Sequence, residues 1–75
     1  MGRMAKDSEV HLLTVGPVNL SHDLKTYVHA MRWCCEEAKG LFSSNVNTIE
    51  DTVVTEFFFE NDTDALLFKL SWGGL

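Results

Sequence analysis

Few residues in this chain have types and spacing that could do chemistry. They are Cys34 and Cys35, His22 and His29, and the acid pairs Glu36–Glu37, Glu50–Asp51 and Asp62–Asp64. Adjacent cysteines form neither a Cys-x-x-Cys redox motif nor an ordinary bridge. On a helix they point about 100° apart, so they do not readily share a metal. His22 and His29 are seven positions apart, whereas zinc chelation from one helix uses an i, i+4 pair. Ser21 and His22 suggest a nucleophile beside a base, but capping of a helix explains them better. The acid pairs would suit general acid/base work or a divalent cation. Each has a plainer role, as a solvated helix face, a loop or a helix start. The expectation is a protein without a catalytic centre, metal or cofactor, and therefore not an enzyme.

Composition narrows the class further. The chain has 75 residues, 45% of them apolar, which fits one globular domain. Eleven acids against six Lys and Arg give a net charge of −5. That balance disfavours nucleic acid as a partner, because phosphate binding needs clustered cations. It also disfavours adsorption to anionic membranes, and no apolar run approaches the ~20 residues of a spanning helix. Two reduced thiols suit a cytoplasmic protein. Residues 1–8 read as a mobile leader and 9–75 as the single domain.

The elements that must position these residues follow from periodicity. "EVHLLTV", Glu9 to Val15, reads as a central strand with apolar groups on both faces. "GPVN" at 16–19 reads as a turn. Residues 21–40 read as a helix, with Ser21 as cap and Asp23 near the positive end of its dipole. Leu24, Tyr27, Val28, Met31, Cys35 and Ala38 recur at spacings of three and four and form its apolar stripe. Lys39 and Gly40 close it. "LFSSNVNT" at 41–48 reads as a polar connection. A second strand runs from about Ile49 to Glu60, with Val53, Thr55, Phe57 and Phe59 on its core face and Val54, Glu56, Phe58 and Glu60 on the other. Residues 65–72 fit either a helix capped by Asn61 or Asp62, or a hairpin strand after an "NDTD" loop; helix propensity favours the first. Gly73 and Gly74 end it.

The resulting order is β-α-β-α, an α+β two-layer sandwich. Two strands and two helices are too little to stand alone, so a homodimer is expected to complete the sheet. Val10, Leu12, Leu24, Val28, Met31, Phe57 and Phe59 are the expected core. Trp33 lies nearly opposite the apolar stripe on the helical wheel, with His29 beside it, and an indole there favours an interface. Trp33, His29, Phe58 and Trp72 are the candidate contact residues.

"VVTEFFFENDTDALLF" resembles the third strand and second helix of an RNA recognition motif. The resemblance implies a strand-to-helix turn in a ferredoxin-like setting. Thr52 and Val53 stand where that motif has a basic residue and glycine, so RNA binding is not carried over. The closing "FENDTDALLFKLSWGG" also resembles small open reading frames of tailed phages and marine viral samples. That likeness implies synthesis in a bacterial host's cytoplasm and adds a host protein as a partner. The function expected from these features is a non-enzymatic, homodimeric interaction or assembly module. The alternative is a nucleic-acid-related protein. It would either bind single strands through Phe58 and Trp72 or mimic nucleic acid against a basic host protein.

Overall fold

The computed structural model describes residues 1–72. Four strands and two α-helices follow in the order β1 (Arg3–Met4), β2 (Val15–Ser21), α1 (Leu24–Glu37), β3 (Leu41–Ile49), β4 (Thr52–Phe59) and α2 (Asp62–Ser71). A 3-10 segment, Asp7–Leu12, lies between β1 and β2. The strands form one sheet in the order β1-β3-β4-β2. β4 is antiparallel to both β2 and β3, and β1 is parallel to β3. The α+β class therefore stands, with more strands than the sequence suggests.

The differences begin at the N-terminus. Glu9–Val15 is not a central strand. The Glu9 carboxylate accepts from the Lys6 backbone N–H at 2.9 Å and from both terminal nitrogens of Arg3, at 2.9 and 2.8 Å. Those bonds close a tight turn instead of an extended segment. The expected leader supplies β1 and the start of this turn. The expected turn at 16–19 lies inside β2. There, Val15 pairs with Phe59 and Val18 with Phe57, so one extra residue is accommodated as a bulge. Gly16 has φ +122°, and a Cβ there would meet the Phe57 carbonyl oxygen at 2.8 Å. Glycine is required on both counts.

β3 replaces the expected polar connection. It pairs with β4 from Phe42↔Phe59 to Ile49↔Thr52, closed by Glu50 and Asp51 at φ 51° and 66°. Two left-handed residues are the geometry of a two-residue hairpin turn whose twist matches the strands.

The core lies between one sheet face and both helices. Phe42, Phe57, Phe59 and Phe68 are fully buried together with Ala30 and Cys34. Phe68 of α2 sits 4.7 Å from the Phe57 ring and 5.1 Å from the Phe59 ring, tilted against each. Such aromatic pairs add about 0.5–1.5 kcal/mol each beyond their buried area. Phe57 and Phe59 thus hold the core as expected, with Thr55 buried beside them. Val10, Leu12, Leu24 and Val28 do not: they are 51%, 39%, 78% and 52% exposed. In α1 the buried positions are Ala30, Cys34 and the following Ala38, flanked by half-buried Tyr27, Met31 and Trp33. This face is turned about 70° from the expected stripe, at ~100° per residue. The reason is size complementarity. Large rings from the sheet fill the interface, so the helix meets them with its smallest residues.

α2 confirms the helical alternative for residues 65–72. Asn61 caps it, its side chain accepting from the Asp64 N–H at 2.9 Å. The expected stop at Gly73 and Gly74 lies outside the described residues. In α1 the cap is Asp23, not Ser21: its carboxylate accepts from the Thr26 N–H at 2.9 Å, which lowers its pKa.

Candidate interaction surfaces

The structure brings three of the four candidate contact residues together. His29, Trp33 and Trp72 line a shallow hollow of about 250 Å³ between the two helices, with Arg32, Glu36 and Glu37 at its rim. Trp33 is half-buried here. Its indole meets the Phe68 ring edge-on at 5.6 Å, so much of its surface is spent on its own chain. Because the buried face of α1 is turned, Trp33 flanks the core instead of standing opposite it. The Trp72 indole N–H is buried and has no hydrogen-bond acceptor among the described residues.

Phe58 sits on the other face of the sheet. It pairs in register with Ser43, and it lines a hollow of about 500 Å³ with Met4, Ala5, Val10 and Leu13. The N-terminal segment forms the roof of this hollow, held by the Arg3–Glu9 pair. Hydrogen bonds from Arg3 first, then from the Lys6 backbone, draw the Glu9 carboxyl down to about 2 from its ordinary 4.5. Phe58 and Trp72 therefore do not make one stacking platform.

Two apolar patches escape sequence reasoning. Leu24, Val28 and Val46 are each more than half exposed at the start of α1 and the distal half of β3. Leu66, Leu67 and Leu70 are 58%, 44% and 70% exposed on α2. The buried positions of α2 are Asp64, Ala65 and Phe68, so the three leucines fall on the side away from the core. A run of leucines after a helix start looks like core in the sequence. The missing signal is that Ala65 and Phe68 are the apolar residues of α2 that are buried, the rest of the space above the sheet being filled from α1.

The acids play structural parts. Asp64 is almost fully buried, and its carboxylate accepts from the backbone N–H groups of Lys39 at 3.0 Å and Gly40 at 2.9 Å. Glu60 accepts from the next N–H, that of Leu41, at 3.0 Å. Two carboxylates thus occupy three consecutive amides at the α1–β3 junction. A Cβ at Gly40 would press only on the ends of the Glu60 and Asn61 side chains, and Gly40 is not the expected left-handed helix stop. The two cysteines divide in the reverse of the expected stripe, which placed Cys35 on the core face, because the buried face of α1 is turned toward Cys34. Cys35 is exposed; Cys34 is buried, and burial first, then the nearby Cys35 and Asp64, pushes its thiol up to about 12. Among the described residues, no three His, Cys, Asp or Glu side chains converge as a metal site requires. No described helix is long and apolar enough to cross a membrane.

Comparison with family models, with curated proteins and with solved structures finds no match for the chain.

Proposed function

We propose that this protein is a non-enzymatic interaction module that works by self-association. The observation that carries the reading is the uncovered row Leu66, Leu67 and Leu70 on α2. Leucines that are 44–70% exposed side by side on one helix are ordinary at an interface and unfavourable in water. The size of the chain supports the same reading, because a domain this small gains stability from a partner subunit. The succession β2-α1-β3-β4-α2, with β4 between β2 and β3, supports the ferredoxin-like arrangement expected from the sequence. β2 has a neighbour on one side only among the described residues, and a second copy would cover the layer at that end.

The test is small-angle scattering of the full chain over a range of concentrations. The monomer has a Cα radius of gyration of 11.4 Å. The reading expects the forward scattering per unit mass to double with concentration and the radius to rise. A monomer-sized particle throughout would remove it.

A further inference from the structure

The charges around the α2 leucines specify how two copies would meet. Asp62 and Lys69, both exposed, stand seven positions apart at opposite ends of the helix. Seven residues fall about 20° short of two turns and rise roughly 10.5 Å, so the two side chains share one flank of the leucine row. Thr63 lies among the leucines, and uncharged Ser71 lies toward the other flank.

We propose that α2 packs antiparallel against α2 of a second copy, about a two-fold axis level with Leu66. This deepens the self-association reading and rests on it. Such an axis maps the charged flank onto itself with its ends exchanged. Each Asp62 then faces the other copy's Lys69, and the contact carries two equivalent ion pairs. A parallel two-fold pair would instead carry the two charged flanks to opposite sides of the contact, each beside the other copy's Ser71 flank, and neither ion pair would form. Leu66, Leu67 and Leu70 interdigitate between the two axes at the usual 8–10 Å helix separation. A helix of ten residues covers less than the roughly 800 Å² per partner of a standard interface. The dimer is therefore concentration-dependent, and its flanking charges weigh in its stability.

Sedimentation equilibrium of the full chain tests this with D62K, K69D, the double swap D62K/K69D, and Leu70→Glu. Circular dichroism establishes that each variant is folded. Each single swap places like charges together twice per dimer, and dissociation should rise roughly tenfold. The double swap should return to within about threefold of the wild type, and Leu70→Glu should leave only monomer. If the wild type dimerises while the folded single swaps and Leu70→Glu dimerise as well as it does, the antiparallel α2 contact is wrong and self-association uses another surface. If the wild type never dimerises, the self-association reading falls with it.

Discussion

The carboxylate of Asp64 accepts a hydrogen bond from the Gly40 N–H at 2.9 Å, across 24 residues of chain. The same carboxylate takes the Lys39 N–H, so the first turn of α2 holds the junction where α1 gives way to β3. Asp64→Ala strips both amides of their acceptor. We expect a loss of about 2 kcal/mol in urea unfolding. Asp64→Asn keeps one acceptor oxygen and should lose less. Equal stability of Asp64→Ala and the wild type would contradict this role.

The hairpin between β3 and β4 turns on two residues poorly suited to it. Glu50 and Asp51 both adopt positive φ, where asparagine and glycine are favoured. The double substitution Glu50→Asn with Asp51→Gly should raise stability by about 1 kcal/mol and leave the denaturant slope unchanged. A lower unfolding midpoint would show that the two acids contribute something the turn geometry does not reveal.

This hairpin also shows what the sequence conceals. In "LFSSNVNTI", Phe42, Ser44, Val46 and Thr48 share a face with Phe59, Phe57, Thr55 and Val53. The period of two is present, but serines and asparagines mask it, because the exposed face of an edge-ward strand needs no apolar residues. The strand of phenylalanines is legible because its core face is strongly apolar, and α2 because Asn61 and the acids mark its start. The buried face of α1 is not legible, because apolar size there does not track burial. Against four phenylalanine rings, Ala30 and Cys34 win the contact positions. Trp33, His29 and Trp72 do gather in one place, although Phe58 does not join them.

Thiol chemistry should separate the two cysteines cleanly. Cys35 is exposed and Cys34 buried, so a thiol reagent at neutral pH should modify one cysteine quickly and the second only on unfolding. The raised Cys34 pKa carries a sign for stability. Below its ordinary pKa of 9.0 the thiol is protonated in both states and no linkage arises. Between there and about 12 the unfolded chain releases this proton while the native chain retains it, so stability falls as pH rises. Cys34→Ala should remove that part of the alkaline slope. Fast modification of both cysteines in the native protein would contradict the buried position.

The Arg3–Glu9 pair should titrate in the opposite sense. Glu9 keeps its charge down to about pH 2 in the folded chain against an ordinary 4.5. Its contribution is present above pH 4.5 and lost as the pH falls from there toward 2. Arg3→Ala should return the Glu9 carboxyl toward its ordinary range, read from its side-chain carbon shift. It should also loosen the segment that roofs Phe58, visible as faster amide exchange at Glu9, whose N–H is bonded to the Lys6 carbonyl. An unchanged Glu9 midpoint in Arg3→Ala would show that Arg3 does not hold it.

If the protein self-associates as proposed, the leucines of α2 are covered by a second copy of the chain. Sedimentation equilibrium of the wild type beside Leu70→Glu measures this most directly. The wild-type mass should climb with concentration toward twice the monomer, and a folded Leu70→Glu variant should stay at the monomer mass. A wild type that remains monomeric at every concentration would contradict it.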